Sequence, residues 1–133
     1  MEWVKDEYLI SDNKELLNID VIHELLSKTY WANDRSKEKI TKSLERSICF
    51  GVYCRRNQIG FARAVTDGVI FSWICDVIIR EEFRGRGLGK WLMECITGHP
   101  EIKNTRQLLA TKDAHDLYKK YGFKIMEVMS KKL

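Results

Sequence analysis

Three glycines fall within five residues, Gly85, Gly87 and Gly89, and Arg84, Arg86 and Lys90 lie between and beside them. Residues 74–79 before them form an apolar run broken by one charge, Asp76. After them Leu88, Trp91, Leu92, Cys95 and Ile96 recur at the spacing of one helical face. This pattern predicts a strand, a glycine turn and an amphipathic helix. Such a junction can hold an anion. The first amides of a helix lack internal partners, and the helix dipole places partial positive charge on them. Glycines let the backbone approach closely, and the three basic side chains add charge for more than one phosphate. Two familiar cradles do not fit. A dinucleotide fingerprint counted from Gly85 ends on Lys90, and counted from Gly87 it ends on Leu92. A P-loop would need glycine where Arg84 stands and Ser or Thr where Trp91 stands. The spacing that does fit is Arg-x-x-Gly-x-Gly, as Arg84, Gly87 and Gly89; the plainer alternative is a tight turn on a basic surface.

The elements around this junction can be read in order. Residues 8–10 predict a short strand. Ile19, Ile22, Leu25 and Leu26 predict a helix capped by Asn18 or Asp20, and Ser36 opens a second, with Ile40 and Leu44 inward, to about residue 46. Residues 48–54 alternate as a strand, Arg56-Asn57 turns, residues 59–65 return, and Asp67-Gly68 closes a hairpin into a strand over 69–79. The central helix stops near Gly98, and residues 108–110 form another strand core. A helix capped by Asp113 carries Ala114, Leu117, Tyr118 and Tyr121 on one face and ends at Gly122; residues 123–129 supply a last strand. Hairpins come first and crossover helices last, so the sheet must be mixed.

Composition narrows the classes. One domain over 1–133 with 44% apolar residues and a single proline can bury a core. No apolar stretch reaches the roughly 18 residues of a membrane span, and the N-terminus lacks a signal-peptide core, so a cytoplasmic protein is expected. Cys49, Cys54, Cys75 and Cys95 form no Cys-x-x-Cys pair and read as buried free thiols. His23, His99 and His115 show no metal-ligand spacing with them, so no metal is expected. A net charge of +4 suits a small polyanion and is too dispersed to argue for nucleic acid.

The Arg84–Gly87–Gly89 spacing resembles the pyrophosphate loop of the GCN5-related N-acetyltransferases (GNAT family). The segment LYKKYGF, residues 117–123, resembles the family's second signature, and the resemblance covers nearly the whole chain. It implies an α/β (α+β) GNAT acyl-CoA N-acyltransferase fold, a mixed central sheet of about six strands with helices on both faces. It also implies acetyl-CoA (coenzyme A) as co-substrate. The pantetheine arm would run along Asp76, Val77, Ile78 and Ile79. The loop Arg84, Gly85, Arg86, Gly87, Leu88, Gly89 and Lys90 would hold the pyrophosphate, and an amide near Val77 or Ile78 would bind the thioester carbonyl. The family's pattern gives Tyr118 the role of general acid to the leaving thiolate, whereas periodicity alone also allows a core aromatic. A phenol with a pKa of about 10 holds its proton at neutral pH.

Asp76, a carboxylate in an apolar strand, reads equally as a base raised by desolvation or as a structural group bonded to backbone at a strand irregularity. The segment joining the first two helices would line the acceptor site in this fold, here Tyr30, Trp31, Asn33 and Arg35, with Trp31 as a wall. Arg35 would either clamp an acceptor carboxylate or lie solvated. Two departures from the family stand out. Thr111 and Asp113 occupy the region where many members carry an asparagine for the pantetheine arm. Only ten residues follow Phe123, so the acceptor site would be more open or completed by a second chain in a homodimer. The expected activity is acetyl transfer from acetyl-CoA to a primary amine of a small molecule, amino-acid-like in the reading where Arg35 clamps a carboxylate. A peptide or protein amine and a non-catalytic acyl-CoA sensor are the rivals.

Overall fold

The computed structural model describes residues 1–132. Six strands form one sheet in sequence order: β1 (Glu2–Lys5), β2 (Tyr8–Ser11), β3 (Ile48–Cys54), β4 (Asn57–Thr66), β5 (Phe71–Ile79) and β6 (Arg106–Leu109). All neighbours pair antiparallel except β5 and β6, which are parallel and joined through a helix. The helices are α1 (Ile19–Ser27), α2 (Lys37–Glu45), α3 (Leu88–Thr97) and the short α4 (His115–Lys119). Among the described residues no helix is long and apolar enough to cross a membrane, and no group of three or more His, Cys, Asp or Glu side chains is placed to hold a metal.

Each face of the sheet buries one stripe. On one side Ile22 and Leu26 of α1 and Ile40 and Leu44 of α2 pack with Cys49 and Phe61. On the other Leu88, Leu92, Met93, Cys95 and Ile96 of α3 pack with Phe50, Val52, Ala62, Ala64 and Ile74. Each fully buried Ile or Leu contributes about 1.5–3 kcal/mol, so these stripes decide which way each helix faces. The Asn18 side chain accepts from the Val21 amide at 3.2 Å and that of Ser36 from the Lys39 amide at 3.1 Å, so α1 and α2 are both capped.

Several boundaries differ from expectation. β1 carries no apolar alternation, since Glu2, Val4 and Lys5 are exposed; pairing with β2 and the half-buried Trp3 hold it. The β3–β4 turn is centred on Arg55 and Arg56, both at positive φ (48° and 74°), and Asn57 already belongs to β4. β5 begins at Phe71 because Asp67 Oδ1 accepts from the amides of Val69, Ile70 and Phe71, tying residues 67–71 into a turn. Asp113 does not cap α4. Ala114 takes that position, and its amide donates to Thr111 Oγ1 at 3.0 Å. Residues 123–129 form no strand: Ile125, Met126, Val128 and Met129 are exposed, with no face to bury.

Two irregularities of β5 position everything that follows. β5 pairs with β6 only through Ile74, opposite Leu109, so its backbone over residues 75–79 has no strand on that side. On the other side the register slips. Ile78 stands opposite Phe61 and Cys75 opposite Arg63, so two residues, Asp76 and Val77, face the single Ala62. Asp76 absorbs the extra residue at φ 56°, a left-handed conformation that aspartate tolerates better than most residues. The bulge turns the Asp76 side chain to the α1–α2 face while Val77 and Ile79 join the α3 face.

There the Asp76 carboxylate, 1% exposed, is fully engaged. Oδ2 accepts from Arg63 Nε at 2.6 Å and Arg35 Nη1 at 2.7 Å, and Oδ1 accepts from Trp31 Nε1 at 3.1 Å. Arg63 also donates to Ser47 Oγ at 3.1 Å. Burial alone would lower the Arg63 pKa; the hydrogen bond and charge of Asp76 outweigh it and hold the guanidinium above its ordinary value. Removing the carboxylate strands two guanidiniums on one side of the sheet. Asp76→Ala should therefore lose about 3–5 kcal/mol of stability, a fall in Tm on the order of 10 °C, and Asp76→Asn less. An unchanged melting curve for Asp76→Ala would show that the cluster does not hold the fold.

A second expectation concerns alkaline pH. Burial pushes the Cys49, Cys75 and Cys95 thiols from 9.0 up to about 11. Since folding raises these values, their contribution is complete below pH 9, where both states keep the proton, and is lost as pH rises toward 11. Urea unfolding under reductant should show stability falling across that interval, by on the order of 2–3 kcal/mol per thiol. The triple variant Cys49→Ala, Cys75→Ala, Cys95→Ala should fall less; an equal fall would assign the loss to other groups.

Candidate active site

β5 ends at Ile79, a single 3₁₀ turn covers Glu81–Phe83, and the chain passes through the glycines into α3. Gly85 and Gly87 have φ of 79° and 80°, and Gly87 is the residue capping α3. Unlike α1 and α2, α3 has no side-chain cap. Among the described residues, no amide from Gly85 to Lys90 donates to a carbonyl or side chain. These amides lie at and just before the positive end of the α3 dipole without a partner among the described residues. A Cβ at Gly89 would meet no atom within 4 Å, so internal packing does not require glycine there; a ligand lying against the backbone would.

The basic side chains divide. Arg84 lines the cleft beside the glycines and donates from Nε to Ile79 O at 2.9 Å. Arg86 turns away, donating to Tyr8 Oη at 3.0 Å and lying 5.0 Å from the Phe83 ring centre. Lys90 is not among the lining residues, and its carbonyl accepts from Tyr121 Oη at 3.3 Å. Of the three basic side chains, Arg84 is the one that lines the cleft.

The cleft has a volume of about 460 Å³. Its floor is Val77, Ile78 and Ile79, where β5 lacks a neighbour, and one end is the loop of Arg84, Gly85, Gly87, Leu88 and Gly89. Facing these are Lys28, Thr29, Tyr30 and Trp31 at the end of α1, and Asp113, Leu117 and Tyr118 around α4. A hollow of similar size, about 480 Å³, lies on the α1 side of the β3–β4 turn. It shares Phe83 with the cleft but contains neither the free amides of α3 nor Tyr118, and its Arg80 is paired with Glu24 at 2.9 Å.

Tyr118 is half-buried, with its ring 6.1 Å from that of Phe123, and its hydroxyl bonds to no other described residue. Burial chiefly, then the negative charge of Asp113 and the neighbouring Tyr30, raise its pKa above 10.0. The phenol therefore holds its proton at neutral pH and can donate it. Tyr30 and Trp31 meet edge to face, with ring centres 5.1 Å apart.

Asp76 and Arg35, read separately as a base and an acceptor clamp, bind each other, and neither is among the residues lining the cleft. With both carboxylate oxygens filled by cationic or N–H donors, Asp76 acts as an anchor: through Trp31 Nε1 and Arg35 Nη1 it holds the loop over 29–36 against the sheet. The sequence reading missed Lys28, Thr29, Phe83, Asp113 and Leu117 as lining residues. Thr29 is buried as a turn-former, its hydroxyl donating to Leu26 O at 2.7 Å and accepting from the Ala32 amide at 3.1 Å. The signal for Asp113 was present but was assigned to a helix cap.

A cleft offering unpaired amides at one end, an open strand edge along its floor and a protonated phenol facing aromatic rings is equipped to hold a phosphorylated acyl carrier and protonate a leaving group. Comparison with known proteins agrees. Residues 45–125 match the acetyltransferase (GNAT) domain model. A candidate acetyltransferase of Gibberella zeae is 32% identical, over 92% of this chain and 82% of the relative. A crystal structure of a candidate GNAT-family acetyltransferase from Xanthomonas campestris pv. campestris superposes with a TM-score of 0.90 at 36% identity, covering 95% of this chain and 93% of the other. A GNAT-family acetyltransferase from Elizabethkingia anophelis, solved with acetyl-CoA bound, shares the fold at a TM-score of 0.71 and 23% identity, covering 92% and 80%. The partnerless amides at the start of α3, the unpaired edge of β5 and the family match over more than half its length together identify this chain as a member of the GCN5-related N-acetyltransferase family.

Proposed function

We propose that this acetyltransferase moves the acetyl group of acetyl-CoA to the primary amine of a small molecule. The observation that carries the reading is the coincidence, in one cleft, of the uncapped N-terminus of α3, the unpaired edge of β5 and the free hydroxyl of Tyr118. Acetyl-CoA supplies an activated thioester and a diphosphate handle. The amides over residues 85–90 and Arg84 bind the diphosphate. The backbone of Val77 to Ile79 aligns the pantetheine arm, and an amide of that edge polarises the thioester carbonyl. The amine attacks as the free base, the C–S bond breaks as the C–N bond forms, the Tyr118 hydroxyl donates its proton to the departing sulfur, and the proton shed by the nitrogen restores the phenol. The acetyl-CoA bound to the Elizabethkingia anophelis protein of the same fold supports this choice of donor. The acceptor would enter beside Tyr30 and Trp31, which line the cleft together with Tyr118.

A non-catalytic acyl-CoA-binding module would need the amide nest but not the phenol, and two variants separate the readings. Gly89→Val places a side chain where the protein itself has room, so its stability should change by no more than about 1 kcal/mol. Its acetyl-CoA affinity by calorimetry should fall by at least about tenfold. Unchanged affinity would remove the cofactor from this loop. Tyr118→Phe should keep cofactor affinity and lower turnover by roughly 10²-fold, read as thiol release. A protein that binds acetyl-CoA tightly and works equally well without that hydroxyl would return Tyr118 to the core.

A further inference from the structure

The hollow on the α1 side of the β3–β4 turn, about 480 Å³, takes no part in the chemistry above. Three arginines line it, Arg55, Arg56 and Arg80, and no acidic residue does. Arg80 is held by Glu24 at 2.9 Å. The guanidiniums of Arg55 and Arg56 have no ion pair and no hydrogen bond among the described residues. The turn that carries them is an unusual one. Cys54 pairs with Asn57, so Arg55 and Arg56 are the two residues of a tight hairpin loop, and both are left-handed, at φ 48° and 74°. Such a loop favours Asn-Gly, because those residues accept positive φ readily. Both arginines are exposed, so no burial within the chain explains their presence there. Strained backbone with no internal reason points to work done by the side chains.

Charge sets the class of ligand. With Arg80 neutralised by Glu24, the hollow keeps the two free positive charges of Arg55 and Arg56. A phosphate monoester carries about two negative charges at neutral pH. Guanidiniums present forked N–H donors that pair with its oxygens, which ammonium groups do not. The first turn of α1 adds Asn18 and Val21 to the wall, so the positive end of that helix dipole borders the same space. Phe83 lines both the hollow and the cleft, with the Arg86 guanidinium 5.0 Å from its ring centre. The hollow therefore adjoins the diphosphate loop without belonging to it. We infer that it is a second anion site, in which Arg55 and Arg56 bind a terminal phosphate monoester against Arg80. Two carriers present this same dianion. One is the donor of the acetyl-transfer reading, through the 3′-phosphate on its ribose; the other is a separate phosphorylated small molecule, which does not depend on that reading.

Calorimetric titration of inorganic phosphate into the protein saturated with 3′-dephospho-coenzyme A, at fixed ionic strength, tests the site. That compound fills the loop over 84–90 and leaves a monoester site open. Wild type should bind one phosphate per chain. Arg55→Asn combined with Arg56→Gly installs the residues that the turn favours, so Tm should stay equal or rise. Phosphate affinity should nonetheless fall by at least about tenfold, and Arg56→Gly alone should show part of that loss. Replacing dephospho-coenzyme A by coenzyme A then identifies the carrier. If the donor's 3′-phosphate occupies the hollow, phosphate binding vanishes, and coenzyme A binds wild type at least about tenfold tighter than its dephospho form. If the carrier is a separate molecule, phosphate binding persists. No saturable phosphate binding to wild type, or equal affinity in wild type and the double variant, would overturn the inference. If dephospho-coenzyme A itself fails to bind, the acetyl-transfer reading falls separately, and the same comparison on the free protein still decides the role of the two arginines.

Discussion

The arrangement depends on one carboxylate and its four neighbours. Asp76 gathers Arg63 from β4, Arg35 and Trp31 from the α1–α2 connection and, through Arg63, Ser47 at the end of α2. These groups come from segments distant in sequence, and their only common point is a side chain in a strand bulge. An ion pair this deep does not by itself add much to stability, because desolvating three charges offsets most of the attraction. Its value is geometric. The aspartate has few other ways to satisfy two oxygens, and apart from Ser47 on Arg63 the two guanidiniums bond to no other side chain among the described residues, so the loop over 29–36 has one resting place against the sheet. That loop carries Tyr30 and Trp31, one wall of the cleft.

The bulge does a second job with the same residue. By absorbing one extra residue at φ 56°, Asp76 shifts the inside-outside alternation of β5, so Val77 and Ile79 fall on the α3 face and Ile78 on the other. β6 meanwhile stops pairing at Ile74, and beyond it the strand edge runs unpaired toward the glycines. Unsatisfied backbone groups are expensive inside a protein. Here they collect along one accessible line, from the β5 edge to the uncapped α3, where a ligand can satisfy them. The structure thus keeps its open hydrogen-bonding capacity in one place while capping α1 and α2 with their own side chains.

Much of this was legible from local pattern. The strand, glycine turn and helix over 74–96 are encoded by short-range periodicity and by residues that only certain backbones accept, and the α1 and α2 caps are three-residue signals. What escaped was non-local. β1 exists because β2 offers an edge, and nothing in Glu2–Lys5 advertises it. Residues 123–129 have the composition of a strand but find no partner. Asp76 reads from sequence equally as a base or as a structural carboxylate at a strand irregularity, and Arg35 as an acceptor clamp or a solvated cation. Nothing in spacing announces that residues 41 apart will neutralise one another. Arg86 likewise carries the right charge in the right loop, yet stacks on Phe83 and bonds to Tyr8, far earlier in the chain.

A sequence marks which residues are chemically unusual for their surroundings, whereas only the fold distinguishes those already satisfied from those still available. By that criterion the cleft has a clear polarity. Its loop end offers amides and Arg84 to a polyanion; its other end offers the Tyr118 hydroxyl, two aromatic rings and the uncommitted carboxylate of Asp113. A diphosphate bound in the opposite sense would meet Asp113 and lose the helix dipole, so the donor's orientation follows from charge before any detailed contact is made. The reacting groups then meet between the two ends, beside the bulge that Asp76 holds in place.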